Sequence, residues 1–220
     1  MGLFRRKASY DRARILARAA RAARPGRGRR SKRRAIALYR QVLAVEPENP
    51  DLHRKIAPLL AQTKQVESAW TSYRRAAEAL HKAGFSERAI GVHREAVRVL
   101  PRQVAAWKRL AELELERGRK PDALAALATG RRQFRSRRTR QHAIVLLTEA
   151  YKLDPTQIEL IFDLASLLAR TGARGRAMAL LDALLVKRPA AATAIRARQF
   201  RIAPGPARAW QYLRASGVRR

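Results

Sequence analysis

Apolar residues recur along this chain at the spacing of amphipathic helices. The first stripe follows the i, i+3, i+4, i+7, i+8 pattern that places side chains on one helix face. Its members are Ala35, Leu38, Tyr39, Val42 and Leu43. Similar stripes predict a second helix over residues 50–63 and a third over residues 66–83. The sequence contains neither strand-like alternation nor an Asn-Gly hairpin signal, so it predicts an all-α fold.

The stripes repeat with a 54-residue period. The pair Ala35-Ile36 recurs as Ala89-Ile90 and again as Ala143-Ile144. Other positions that stay in register are Tyr39, His93 and Leu147; Val45, Val99 and Leu153; Pro47, Pro101 and Pro155; Ile56, Leu110 and Leu164; Ala57, Ala111 and Ala165; Ala69, Ala123 and Ala177; and Tyr73, Leu127 and Leu181. Chance does not keep small residues, large residues and prolines in phase over three copies, so the chain is predicted to repeat a three-helix unit.

Proline and glycine mark the expected helix ends. Pro47 is expected to end the first helix because proline cannot donate the next backbone hydrogen bond. Gly118 and Gly172 suit the left-handed conformation that follows the second helix. The predicted organisation is a basic N-terminal segment with a capping helix (1–34, helix at 9–24), three repeat units (35–88, 89–142 and 143–196), and a C-terminal capping helix with a basic tail (197–220, helix at 206–215).

The repeat resembles the 34-residue tetratricopeptide pattern W-x2-L-G-x2-Y…A-x3-F…P over residues 31–191. The best copy, residues 104–137, has Trp107, Leu110, Ala111, Gly118, Ala123 and Leu127. A second copy, residues 158–191, has Ile161, Leu164, Ala165, Leu168, Gly172, Ala177, Leu181 and Pro189. A third, residues 70–103, has Tyr73, Ala76, Ala77, Leu80, Gly84, Ala89, His93, Ala96 and Pro101. The resemblance implies a right-handed α-solenoid of antiparallel helix pairs that works as a protein-binding scaffold.

The spacing of the marker alanines departs from the family pattern. A longer and a shorter interval alternate along Ala35, Ala69, Ala89, Ala123, Ala143 and Ala177, so the third helix of each unit closes one repeat and opens the next. Which helices line the concave face therefore stays open. On the resemblance, the partner-binding candidates are the exposed or polar positions of the second helices. These are Arg54, Lys108, Glu112, Phe162 and Arg170.

The chain is strongly basic, with 49 Lys and Arg against 17 Asp and Glu and a formal charge of +32. Many of these basic residues lie near the boundary between one repeat unit and the next. Equivalent loops of a solenoid stack along one edge. We therefore predict a continuous cationic edge. Its members are Arg29, Arg30, Arg33, Arg34, Lys82, Arg88, Arg131, Arg132, Arg135, Arg137, Arg138 and Arg140. The alternative is that these are solvated loops in a protein with a general bias toward arginine.

The sequence lacks the motifs that are typical of catalytic and metal sites. There is no cysteine, and the four histidines lack paired metal-ligand spacing. His93 takes the core position of Tyr39 and Leu147, which favours a packing role. Neither a phosphate-binding glycine loop nor a G-x-S-x-G motif occurs. We therefore expect a non-enzymatic protein with no metal, no cofactor and no small-molecule substrate.

The leading hypothesis is a scaffold for protein or peptide partners, with a preference for acidic ones. The second hypothesis is sequence-independent nucleic-acid binding through the cationic edge, for which only Phe134 and Phe200 could stack on bases. The third is docking of the basic helix at residues 9–24 on an anionic membrane through Ile15, Leu16 and Tyr10. No apolar stretch approaches the length that spans a bilayer, so the expected location is cytoplasmic, and an organellar presequence through Arg34 is the alternative.

Overall fold

The computed structural model describes residues 2–217, with side chains described from residue 11 onward. The described part contains twelve α-helices: α1 (Gly2–Ala22), α2 (Arg29–Leu43), α3 (Pro50–Gln62), α4 (Val66–Lys82), α5 (Ser86–Val99), α6 (Val104–Glu116), α7 (Lys120–Arg131), α8 (Arg140–Leu153), α9 (Ile158–Arg170), α10 (Arg174–Lys187), α11 (Ala192–Ile202) and α12 (Pro206–Ala215). Short 3₁₀ helices cover Arg137–Thr139 and Pro189–Ala191. No strand occurs in this part of the chain, and the prediction of an all-α fold is confirmed.

Helix ends agree with the sequence prediction where capping residues are clear. Helix α3 begins at Pro50, and the side-chain oxygen of Asn49 accepts a hydrogen bond from the Leu52 amide at 3.1 Å. Helices α3 and α4 match the predicted segments 50–63 and 66–83, and α12 matches 206–215. Helix α1 starts before the predicted residue 9, and α2 ends before Pro47. The basic tail at residues 218–220 lies outside the described residues.

The chain forms two compact units, residues 1–113 and residues 114–220, with the division inside α6. In the N-terminal unit each helix from α1 to α5 packs on the next, and α3 also contacts α5. In the C-terminal unit each helix from α7 to α12 packs on the next, and α9 also contacts α11. This packing of consecutive helices confirms the predicted tetratricopeptide-like fold of antiparallel helix pairs.

The predicted unit boundaries at residues 34/35, 88/89, 142/143 and 196/197 fall inside α2, α5, α8 and α11. They were placed at the marker alanines, and these lie at mid-helix crossing points instead of in loops. Ala35, Ala89 and Ala143 are at most 1% exposed. A methyl side chain at these points lets neighbouring helices approach closely.

Large apolar residues fill the space beside the alanines in each unit. Tyr73 is fully buried in the N-terminal core, and Leu181 and Ile195 are fully buried in the C-terminal core. The burial of these core positions therefore follows the repeat period, whereas the exposure of Val45 does not. Val45 is 82% exposed although Val99 and Leu153 are partly buried, because α2 ends at Leu43.

A ring nitrogen anchors the proline loop in two of the three units. His53 Nε2 donates to the carbonyl oxygen of Pro47 at 2.8 Å, and Trp107 Nε1 donates to that of Pro101 at 2.9 Å. His53 and Trp107 are one repeat period apart, as are the two prolines. The equivalent position in the third unit is Ile161, whose side chain has no donor.

The turn after the second helix takes the left-handed backbone conformation in every copy. Gly118 and Gly172 have φ of 72° and 90°, which confirms their predicted role. The first unit has Lys64 at this position, with φ of 67°. A side chain in this region costs about 1–2 kcal/mol, whereas glycine adopts it freely.

We expect Lys64→Gly to raise the free energy of unfolding by about 0.5–1 kcal/mol, because relief of strain exceeds the added entropy of the unfolded chain. Gly172→Lys is expected to lower it by a similar amount. A Cβ at Gly172 would meet no atom within 4 Å. The substitution therefore tests the cost of the left-handed backbone conformation without a steric clash. Urea unfolding of both variants checks this. Equal effects of the same sign in the two variants would contradict it.

Candidate interaction surface

The hairpin of α1 and α2 forms a basic surface of the N-terminal unit. Its inner face is apolar, since Ala19 is fully buried and Ile15 and Leu16 pack against the core. Ser31 Oγ donates to the carbonyl oxygen of Ala22 at 2.8 Å and fixes the turn between the helices. Ile15 and Leu16 are half-buried in this packing, and docking of α1 on an anionic membrane stays a prediction. Tyr10 lies outside the residues whose side chains are described.

Residues 14–40 of this hairpin carry cations without acidic partners. Between residues 14 and 40 the sequence has eleven basic residues and no acidic one. They are Arg14, Arg18, Arg21, Arg24, Arg27, Arg29, Arg30, Lys32, Arg33, Arg34 and Arg40. No ion pair involves any of these eleven described side chains, and all except Lys32 are exposed. The nearest pair joins Arg12 to Glu46, where the hydrogen bond from Arg12 lowers the pKa of the Glu46 carboxyl.

Two of the predicted edge residues in the N-terminal unit have local contacts. Lys82 lies 3.8 Å from Glu48, and both side chains are well exposed, so this pair contributes little to stability. The Arg88 guanidinium lies 5.3 Å from the ring centroid of Phe85, which is 50% exposed. Both residues stay accessible to a partner.

The second basic cluster lies in the C-terminal unit, from the end of α7 to the start of α8. Four of its arginines are exposed: Arg132, Arg135, Arg137 and Arg138. Arg137 and Arg138 lie on the 3₁₀ helix, whose first turn is capped by Ser136 Oγ accepting from the Thr139 amide at 3.3 Å. This cap fixes the local backbone that carries the two side chains.

Other arginines of the predicted edge support the fold. Arg131 forms an ion pair with Asp163 at 2.9 Å and thereby joins α7 to α9. Arg140 donates to the carbonyl oxygen of Arg170 at 3.0 Å, and Arg29 donates to that of Thr63 at 3.2 Å. Both carbonyls end a second helix of the repeat, where a cation also complements the helix dipole. The continuous cationic edge itself stays a prediction.

Arg140→Met is expected to lower the free energy of unfolding by about 0.5–1 kcal/mol, because the carbonyl at the end of α9 loses its donor. Arg138→Met is the matched control. Arg138 is exposed and has no ion pair among the described residues, so its change should be close to zero. Thermal or urea unfolding measures both, and equal losses would show that Arg140 has no capping role.

The five candidate groove residues fall into different environments. Arg54 is exposed and pairs with Glu95 at 3.1 Å, and Glu112 is exposed and pairs with Arg109 at 3.2 Å. Lys108 is half-buried and Arg170 is exposed at the end of α9. The prediction that Phe162 is exposed is wrong, since it is only 7% exposed. Three of these residues lie in the N-terminal unit and two in the C-terminal unit, and a groove shared by all five stays a prediction.

Phe162 is buried because α11 covers it. The Arg198 guanidinium lies 4.8 Å from the ring centroid of Phe162, and Arg198 Nη1 donates to Ser166 Oγ at 3.0 Å. Burial lowers the pKa of Arg198, although a guanidinium stays charged at all ordinary pH values. Nothing in the sequence around Arg198 signals this contact, because it joins two helices that are not consecutive in the chain.

The aromatic residues near the basic clusters are placed differently from expectation. Phe134 is 3% exposed and packs edge-on against His142 at 5.3 Å, so it is not available for stacking on a base. Phe200 is half-buried. Trp210 on α12 is 60% exposed, with the Arg214 guanidinium 5.3 Å from its ring. Leu213, about one turn further along α12, is also exposed.

Arg54 belongs to a small polar network between α3, α4 and α5. Glu95 accepts from Arg54 through one carboxylate oxygen and from the Tyr73 hydroxyl, at 3.2 Å, through the other. Burial, followed by the charge of Glu95, raises the pKa of Tyr73 well above its usual value. The tyrosine therefore acts as a hydrogen-bond donor at any physiological pH.

His93 is a buried titratable group of the N-terminal unit. It is 2% exposed, its ring lies 5.7 Å from that of Trp70, and its Nδ1 has no hydrogen-bond partner. Burial, with a smaller contribution from the charge of Arg109, lowers its pKa to about 4. It is therefore a neutral core residue, as the repeat pattern predicted. Within the described residues no group of three or more potential metal ligands comes together.

Comparison with known proteins gives structural matches only. A scan against protein-family models finds no match, and a search of curated proteins finds none either. The structure of MamA aligns over 85% of this chain and 88% of its own, at 14% identity and a TM-score of 0.33. The human IFIT1 dimer with PPP-AAAA aligns over 87% and 56%, at 18% identity and a TM-score of 0.36. A thermophilic TPR protein of Thermus thermophilus aligns over 94% and 100%, at 18% identity and a TM-score of 0.26.

The assignment of the fold rests on the helix pairs of the chain itself. The part of the chain that the structure describes has no helix whose length and apolarity would suffice to cross a bilayer.

Proposed function

We propose that this protein is a non-enzymatic adaptor that binds acidic proteins or peptides through the arginines that its fold leaves without acidic partners. The observation that carries the proposal is the stretch of the α1–α2 hairpin from residue 14 to residue 40, which has eleven basic residues, no acidic residue and no ion pair among its described side chains. Uncompensated charge of this density opposes folding by self-repulsion. A partner that neutralises it therefore gains affinity without first breaking intramolecular pairs.

Arginine chemistry favours carboxylate partners. The planar guanidinium offers parallel N–H donors that match the two oxygens of a carboxylate or phosphate. Helical packing holds the hairpin backbone, and Ser31 fixes its turn, so the cations project from an ordered support. An acidic loop or an acidic helix face could therefore pair with several arginines at once.

Sequence-independent nucleic-acid binding is the alternative that the same arginines favour, since a guanidinium binds phosphate as readily as carboxylate. Base stacking does not support it within the second cluster, because Phe134 is buried there. Binding would then depend on phosphate contacts alone and would fall steeply with rising salt. A gel-shift titration with single- and double-stranded probes, repeated at two salt concentrations, measures this directly.

Affinity capture with the full chain tests the proposal. The immobilised protein is exposed to native lysate in two parallel samples, one treated with nuclease, and bound proteins are identified by mass spectrometry. We expect acidic proteins to be recovered equally from both samples and to elute at moderate salt. Recovery that depends on intact nucleic acid would favour the alternative. Recovery of no protein at low salt would contradict an adaptor function.

A further inference from the structure

A groove opens in the N-terminal unit between α2 and α4, with α3 beneath it. Its volume is about 460 Å³. Ile56 and Leu60 form an apolar floor, and Leu43 extends it along α2. Arg40 and Arg75 stand at the rim, one from each flanking helix. The groove thus combines an apolar base with a basic opening.

The C-terminal unit contains a groove of the same kind between α8 and α10, with α9 beneath it and a volume of about 350 Å³. All seven of its lining residues lie two repeat periods after lining residues of the first groove. Leu43 corresponds to Tyr151, Ile56 to Leu164, and Leu60 to Leu168. The second groove is lined further by Leu180, at the position of Ser72, and at its rim by Arg176, at the position of Ser68. The repeat therefore builds one kind of groove once in each compact unit.

The basic residues at the rims are available. Arg40 has one weak contact, at 3.5 Å from the side-chain oxygen of Gln65. Arg75 and Arg176 are exposed and form no ion pair among the described residues. Glu67 also lines the first groove, but its carboxylate accepts from the Gln103 amide at 3.1 Å. The net charge at each opening is positive.

We propose that each groove binds a large apolar side chain of an acidic peptide, with carboxylates beside that side chain pairing with the rim arginines. Charge complementarity identifies the occupant as acidic, and the leucine and isoleucine floor requires an apolar anchor at its centre. An apolar anchor surrounded by polar contacts is the usual basis of specific peptide recognition. The inference rests on the proposed adaptor function and adds to it a sequence preference and a stoichiometry of two peptides per chain.

A synthetic peptide tests this directly. The probe is a short peptide with one leucine between two pairs of glutamates and Gly-Ser ends, and the comparator has serine in place of the leucine. Isothermal titration of the full chain is expected to give two sites for the leucine peptide and at least tenfold weaker binding of the serine peptide. That ratio corresponds to at least about 1.4 kcal/mol for burying the leucine side chain.

Groove-filling variants locate the two sites. Ser68→Trp fills the first groove and Ala179→Trp the second, and both positions are exposed, so the core is left intact. Each variant is expected to remove one of the two sites. Lys55→Glu, an exposed position outside the groove lining, should keep both sites and weaken binding less than twofold. Circular dichroism verifies that each variant is folded.

The outcomes separate this inference from the adaptor function. Equal binding of the serine and leucine peptides, or two sites retained in both tryptophan variants, would overturn the grooves as binding sites while leaving acidic partners possible. Capture of acidic proteins without binding of either peptide would also overturn the inference alone. Failure of both capture and peptide binding would overturn the inference and the adaptor function together.

Discussion

Lowering the pH from 7 to 4 is expected to cost the protein about 3 kcal/mol of stability through His93 alone. The pKa of His93 is about 4 in the folded protein and 6.5 in the unfolded chain, and each pKa unit corresponds to about 1.4 kcal/mol. The unfolded chain binds the proton first, so stability is fully present above pH 6.5 and is lost progressively down to pH 4. The cause is burial of the ring, followed by the charge of Arg109.

The variant His93→Leu isolates this effect. Leucine occupies the equivalent position in the third unit, where Leu147 is 1% exposed, so the core accepts its shape. Urea unfolding at pH 7, 6 and 5 should show a steep loss in the wild-type protein and a much smaller one in the variant. Glu46 and Asp154 have pKa values below the usual range for carboxyls, so their contributions are lost only at lower pH. Parallel curves for the two proteins would contradict the prediction.

Leu181→Ala is expected to lower the free energy of unfolding by about 3 kcal/mol. Leu181 is fully buried in the core of the C-terminal unit, at the position occupied by Tyr73 and Leu127 in the other copies. Truncation removes apolar contact and leaves a cavity that a closely packed helix crossing cannot fill, and such changes cost about 2–5 kcal/mol.

Leu213→Ala is the matched control for this prediction. Leu213 is 47% exposed on α12, so the same chemical change should cost less than about 0.5 kcal/mol. Both values come from urea unfolding at pH 7. Similar costs at the two positions would show that the repeat register does not determine burial in this unit.

The sequence predicted the helices well because local signals fix them. Proline and asparagine at the start of α3 and the positive-φ residues after the second helices act through the backbone of one turn. The marker alanines predicted the crossing points because a fixed repeat period leaves one register in which all small residues meet. Lys64 shows that the backbone conformation can persist without the glycine that signals it.

Placement of the functional side chains was harder to predict. Phe162 was expected to be exposed because its counterparts are Arg54 and Lys108, yet Arg198 from α11 covers its ring. The burial of Phe162 depends on a helix that is not its neighbour in sequence, and no periodic pattern in the sequence indicates it.

The basic clusters also combine a feature that the sequence predicts with one that it does not. Their position at the joints was evident from the sequence, but their roles were not. Arg131 and Arg140 hold the C-terminal unit together, whereas Arg137 and Arg138 have no acidic partner among the described residues. The difference depends on which arginine reaches a carboxylate or a helix-end carbonyl across the interface between two helices. Sequence spacing alone does not determine this.

The measurement that tests the account most directly compares two variants of equal charge in the capture experiment. One carries glutamate at Arg30, Arg33 and Arg34 on the α1–α2 hairpin. The other carries glutamate at Lys55, Arg98 and Arg102, which are exposed but scattered over the same unit. We predict that the amount of acidic protein captured from nuclease-treated lysate falls at least tenfold with the first variant. With the second variant it should fall less than twofold. Equal losses would show that net charge alone, and not the arginine cluster, attracts the partners.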